Sequence, residues 1–258
     1  MTAPEGAVVR TYPRERVKSA DFYIDTRFGI LHEDADFLAV DKPAPLAVHP
    51  VGSYFDLNLH TLLKKDPRWA DAKLHFTHRL DAETSGVVLL AKTHEAARHA
   101  GIEFMNGRVK KKYHALVFGE TRDAEGEIDI PLGRDHCSGF QTVRIPDPDA
   151  GEWACTRWRR LWSRGGYSWL EVEPLSGRTH QIRAHLSFIG HPIVGDKIYI
   201  DLAIFQKYVV HGMDPEMLSR LKLRRLALHA TSLSMARPGG EEMAFRSEPP
   251  DFMGQILP

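Results

Sequence analysis

Residues 87–91, VVLLA, are apolar without a break. Five consecutive apolar residues have no polar face to offer water. They predict a strand covered on both sides, inside a sheet rather than at its edge. The nine residues before them have the opposite character. His78-Arg79-Leu80-Asp81-Ala82-Glu83-Thr84-Ser85-Gly86 packs charges and hydroxyls against the entrance to that buried strand.

The rest of the chain is strand-rich. Phe37 to Lys42 reads as a short strand, stopped by Pro43 and Pro45. Residues 57–65 predict a short helix ended by Pro67. Thr93 is placed to cap a helix running to about Met105. Residues 112–118 alternate as a strand should, with Tyr113, Ala115 and Val117 on one face, and Gly119 ends them. Glycines and prolines mark 133–152 as a loop region with room for a hairpin. Trp153 to Trp162 and Tyr167 to Val172 read as strands around the turn Ser163-Arg164-Gly165-Gly166. Thr179 to Phe188 predicts a helix with Ile182, Leu186 and Ile189 on one stripe. A further helix is expected over 215–223, with Pro215 in its first turn. Closing strands follow at 226–235 and 243–246. Strands outnumber helices without the regular alternation of a doubly wound sheet. The expected class is α+β with a mixed, largely antiparallel sheet.

At 258 residues the chain is long enough to bury a substantial core. Its 43% hydrophobic and 26% charged content is that of a soluble enzyme. No apolar run approaches the ~20 residues that span a bilayer, so no membrane partner is expected. The opening MTAPEGAVVRTYPRERVKSADF has no apolar core of a secretory signal. With only Cys137 and Cys155, a reducing, cytoplasmic setting is expected. Residues 1–20 read as a loosely ordered lead-in to one domain over 21–258. Formal net charge is zero, but its distribution is uneven. Acidic residues crowd 21–41, and basic ones gather at Arg108 to Lys112, Arg157 to Arg164 and Arg220 to Arg225. A one-sided basic surface and scattered solvated charges are equally compatible with that pattern.

Three clusters carry chemical potential. An aspartate beside an arginine, as Asp81 is to Arg79, can stay ionised in a dry pocket and serve as nucleophile or base. Read locally, the same residues also suit a capped turn with a surface ion pair. In Gly177-Arg178-Thr179-His180-Gln181-Ile182-Arg183-Ala184-His185-Leu186, Arg183 is free to meet a carboxylate from elsewhere in the chain. His180 and His185 are five apart, not the four that a two-histidine metal clip needs. Lys110-Lys111-Lys112-Tyr113-His114 suits phosphate neutralisation with base stacking, and equally a solvated lysine edge. No dinucleotide, Walker or zinc-spacing signature is present, so neither metal nor cofactor is expected.

HRLDAETSGVVLLAK (78–92), KKYHALVFG (111–119), GRTHQIRAHL (177–186), HPIVGDKIY (191–199) and LHA (228–230) follow VDKPAPLAVHP (40–50) in this order. Together they resemble the RluA family of RNA pseudouridine synthases over roughly residues 30 to 235. The resemblance implies a curved mixed sheet in two halves with the active-site cleft between them. It implies conversion of uridine to pseudouridine in structured RNA, ribosomal RNA being slightly preferred over transfer RNA. Asp81 matches the family's catalytic aspartate, and Arg183 the basic residue that pairs with it. Tyr113 matches the tyrosine lying against the target base. Arg79 matches the arginine that intrudes into the RNA, and Leu228 an apolar wall of the pocket. His78, Lys112, Arg178, His180 and Gln181, from the same motifs, are expected at the substrate. A stacked base is out of reach until flipped, which costs a few kcal/mol.

Unlike many members of that family, this chain is expected to have no separate S4-type RNA-binding domain before the opening motif. Asp201 to Arg225 reads as an insertion with one helix, ending in basic residues that suit either RNA or solvent. A monomer is the expected state. Two rival readings follow: a non-catalytic RNA-binding or RNA-folding protein on the same scaffold, and an unrelated hydrolase using Asp81 with Glu83. The second is disfavoured because residues two apart on an extended turn point in different directions.

Overall fold

The computed structural model describes residues 23–256; the lead-in expected at 1–20 lies outside them. Strands β1 (Gly29–Glu33) and β2 (Phe37–Lys42) open the chain, followed by α1 (Leu59–Lys65) and β3 (His75–Phe76). Then come β4 (Ser85–Ala91), α2 (His94–Met105), β5 (Lys110–Phe118) and β6 (Glu125–Asp129). A small hairpin, β7 (Leu132–Arg134) with β8 (Arg144–Pro146), leads to β9 (Cys155–Arg164) and β10 (Tyr167–Pro174). Helices α3 (Gln181–Phe188), α4 (Leu202–His211) and α5 (Pro215–Leu221) precede β11 (Leu228–Ala236) and β12 (Glu242–Arg246).

Ten strands form one open sheet, in the order β1-β2-β4-β11-β5-β10-β9-β6. All its pairings are antiparallel except β4 with β11, which run parallel through two residue pairs, His229–Ser85 and Ala230–Gly86. Beyond that short seam β4 pairs with β3, and β11 with β12. The sheet therefore divides into two halves joined where β4 and β11 begin. The α+β class with a mixed, largely antiparallel sheet is the one expected from sequence.

The VVLLA run lies at the heart of one half, none of it more than 1% exposed. Its alternation supplies two cores. Val87, Leu89 and Ala91 pack with Phe37, Leu233 and Phe245 under α2, while Val88 and Leu90 pack with Leu38, Leu59, Leu63 and Trp69 under α1. The caps follow the sequence: Thr93 Oγ1 accepts from the Ala96 amide, and Asn58 from that of Thr61. The other half has its own core of Ala115, Val117, Leu170, Val172, Ile182 and Leu186.

Gly86 makes the seam possible. Its φ is +110°, and a Cβ there would stand 2.2 Å from the Ala230 carbonyl oxygen. Gly86→Ala combines an unfavourable backbone with a backbone clash, each worth roughly 1–3 kcal/mol. Thermal unfolding of that variant is expected to show a loss of about 3 kcal/mol or more. A near-native Tm would mean that the seam can open without consequence.

Most element ends shift by one or two residues from expectation, and two departures bear on the site. The helix expected from Thr179 begins at Gln181, because His180 sits in the left-handed region at φ 55°. The 201–225 segment holds two helices rather than one, capped by Asp201 and Asp214. Ile204, Met217 and Leu221 give it a small core of its own. The apolar residues of LAIFQKYVVH are crowded enough to mask the helical period. Among the described residues no helix is long and apolar enough to cross a membrane.

Candidate active site

The polar segment before β4 lies at the junction of the two halves. Leu46 N–H donates to the Ala82 carbonyl at 2.8 Å, and Thr84 N–H to that of Asp81 at 3.1 Å. These bonds hold Asp81 at the wall of a cleft of about 260 Å³, small for a ligand pocket. Arg183, from the first turn of α3, reaches across it. Its Nη1 donates to Asp81 Oδ2 at 3.0 Å. Its Nε and Nη2 donate to the two oxygens of Asp196, at 2.7 and 2.9 Å. Asp196 is fully buried and also accepts from the amides of Ile198 and Tyr199. One carboxylate thus fixes the guanidinium, which presents its remaining edge to the other.

Burial alone would raise the pKa of Asp81, yet the net shift is downward, through His180 at the acid pH where its imidazole is charged, and through Arg183. His180 Nε2 stands 3.8 Å from Asp81 Oδ2. Burial, then Arg183, pushes His180 down to about 4. The imidazole is therefore neutral near pH 7, and the guanidinium is the charge that keeps Asp81 ionised there. Tyr113 projects from β5 into the same cleft. Burial and the charge on Asp81 raise its hydroxyl pKa, so it stays protonated.

The cleft gathers every site residue expected from sequence except Lys112. Arg79 is exposed and, among the described residues, its guanidinium makes no hydrogen bond or ion pair. Leu228 opens β11 and lines the wall. Other residues are committed to the fold. His78 Nε2 accepts from the Leu89 amide at 3.0 Å. Gln181 Oε1 accepts from Ser176 and from the Arg178 amide, and its Nε2 donates to Cys155 O and Thr156. The Arg178 guanidinium is drawn to Trp153 O and Glu152. Lys112 points to the opposite face of β5 and pairs with Glu171 at 3.2 Å. Strand alternation puts Lys111, not Lys112, beside Tyr113, and Lys111 lines the cleft.

Sequence reasoning passed over Asp196, although it lies inside HPIVGDKIY. A carboxylate after glycine in an otherwise apolar stretch was the available signal. It also missed the role of Glu83, whose two oxygens accept from Lys197 Nζ at 2.6 and 2.8 Å. Lys197 reaches the Arg224 carbonyl as well, so the 201–225 segment is tied to the Asp81 loop. The basic run at its end does not form one face. Arg220 pairs with Asp201, and Arg225 turns inward to Ser85 and Ala44.

Lys42, fully buried, underlies the site. Its Nζ donates to the carbonyls of Pro43 and Leu46 at 3.0 and 2.7 Å. Burial, then Arg225, lowers its pKa to about 7, against 10.5 in water. Between those two values the unfolded chain holds a proton that the folded one has released. Stability therefore rises with pH above about 7, by up to ~1.4 kcal/mol per unit. In chemical unfolding from pH 7 to 9, Lys42→Met is expected to remove most of that rise. An unchanged slope would assign it to other groups.

A model of the RNA pseudouridylate synthase family matches residues 36–188. The chain belongs to that family. Among related proteins it is 32% identical to an uncharacterized RNA pseudouridine synthase of Synechocystis, over 83% of this chain and 63% of that one. It is 32% identical to ribosomal large subunit pseudouridine synthase D of Zymomonas mobilis, over 98% of this chain and 83% of that one. The enzyme of the same name from Pseudomonas aeruginosa is 34% identical, over 89% and 71%. This chain thus spans under two thirds of the Synechocystis relative. Human RNA pseudouridylate synthase domain containing 4 superposes with a TM-score of 0.68 at 29% identity, over 89% of this chain and 91% of that one. In this family member the family's sheet carries the Asp81–Arg183 pair at the seam of its two halves.

Proposed function

We propose that the chain isomerises uridines to pseudouridine in structured RNA, with ribosomal RNA favoured over transfer RNA. The observation that carries this reading is an ionised Asp81, aimed by Arg183 into a cleft that also holds Tyr113 and an exposed Arg79. Relatives named for the ribosomal large subunit support the choice of RNA.

The chemistry needs little beyond these groups. Asp81 acts on the ribose, by attack at C1′ or by removing a proton from the sugar. The N1–C1′ bond breaks, the uracil turns over and C5 bonds to C1′. C5 releases its proton and N1 takes one up, so the product is an isomer and no redox partner is needed. Arg79 fills the space that the flipped base leaves, which offsets part of the unstacking. His78, Arg178, His180 and Gln181 shape and stiffen the wall on which the base rests. Residues 21–258 work as one catalytic unit, a cytoplasmic monomer.

Tritium release from RNA labelled at uridine C5, taken from cells lacking this gene, tests the reading. Release by catalytic amounts of protein supports it. RNA binding without release would instead support a non-catalytic binder on the same scaffold.

A further inference from the structure

Lys111 is the cleft's least explained charge. It precedes Tyr113 by two on β5, so both side chains leave the same face of the strand. It is half-buried and lines the cleft with Asp81, Arg79 and Tyr113. Among the described residues its ammonium makes one hydrogen bond, to the Ser176 carbonyl at 2.8 Å. Among the described residues no carboxylate pairs with it directly; Glu173 attracts it only from beyond ion-pairing distance. Of the other lysines here, Lys112 pairs with Glu171, Lys197 with Glu83 and Lys42 with backbone carbonyls, while Lys110 is exposed outside the cleft lining. Burial holds the Lys111 pKa below its usual value, so the charge sits in surroundings that do not solvate it fully.

An ammonium with three donors and one protein acceptor has two donors left for a ligand. Gly177 also lines the cleft beside it: a Cβ there would touch Nζ at 3.9 Å, so the glycine keeps a side chain from crowding the ammonium. A group reaching Nζ from the cleft must be anionic to repay the desolvation. Uracil is neutral, and Asp81 is already paired with Arg183. The anion that a flipped nucleotide brings is its own phosphodiester.

We propose that Lys111 is the phosphate-binding group of the cleft, taking one phosphodiester that flanks the flipped uridine. The inference rests on the RNA reading above and deepens it. Lys111 and Arg79 then divide the labour: one neutralises the backbone at the extruded nucleotide, the other occupies the vacated stack.

The probe is a synthetic ribosomal RNA stem–loop with one loop uridine, chosen because wild-type protein binds it, with binding measured from 50 to 300 mM salt. Lys111→Met is expected to lower the slope of log Kd against log salt by about one, and Lys111→Arg to retain it. A neutral methylphosphonate, placed 5′ and then 3′ of the target, should weaken wild-type binding at one of the two positions. At that position it should leave Lys111→Met unaffected. An unchanged slope for Lys111→Met overturns the proposal. So does a methylphosphonate penalty as large in Lys111→Met as in wild type, since Lys111 would then only brace the Ser176 loop. Wild-type protein that binds this RNA but forms no pseudouridine would fail the catalytic reading, while the slopes would still decide Lys111.

Discussion

Asp81→Asn is expected to reduce tritium release from C5-labelled RNA by at least about 10⁴-fold, the scale on which removing an essential nucleophile acts. The fold should survive. Asparagine matches aspartate in shape, and its carbonyl oxygen can still accept from Arg183 Nη1. Arg183 itself stays anchored, because two of its three bonds go to Asp196. Thermal unfolding should therefore move by no more than a few degrees, and RNA affinity should remain near that of wild type. What the substitution removes is the negative charge that both routes through the ribose require. Turnover within tenfold of wild type would take Asp81 out of the mechanism. A collapse in Tm would show that the charge is structural.

Arg183→Met should do the reverse and harm the fold as well as the reaction. It leaves Asp196 buried without its counter-charge, and Asp81 with a neutral His180 and the unbonded charge of Arg79. Breaking one side of a buried pair typically costs about 3–5 kcal/mol. In a chain of this size that is a fall in Tm of roughly 6–20 °C. The pH dependence identifies the cause. In wild type both carboxylates are held below their ordinary pKa. Their contribution is present above about pH 4 and lost as pH falls through the folded-state values. In the variant burial dominates and raises both, so the folded chain binds protons that the unfolded chain releases near pH 4. The variant's deficit should be largest at neutral pH and shrink toward pH 4.5. Adding Asp196→Asn should recover part of it. Urea unfolding at pH 4.5 and 7.5 distinguishes this from plain loss of packing, which would give equal deficits at both.

Much of this protein was written in short-range pattern. An unbroken VVLLA had to be buried on two faces, and it is, between two separate cores. Thr93 was placed to cap α2, because a hydroxyl just before the first turn can accept from the Ala96 amide, and it does. The period of two along β5 already put Lys111, not Lys112, on the face of Tyr113. These features depend on residues within one or two turns of each other, and the backbone's own geometry enforces them. The position of Asp81 beside a buried strand was legible in the same way. Its partner was not, except through resemblance to a family. Arg183 lies 102 residues away, and Asp196 carries no periodic signal at all. They meet because β4 and β11 run parallel through two residue pairs, which only Gly86 allows. The left-handed His180 and the second helix of the 201–225 segment were likewise settled by packing, against Tyr199 and around Ile204. Sequence determined which residues carry chemistry and which faces are dry. Tertiary structure decided which charges meet, because a buried ion pair is set by long-range strand pairing rather than by neighbours in the chain.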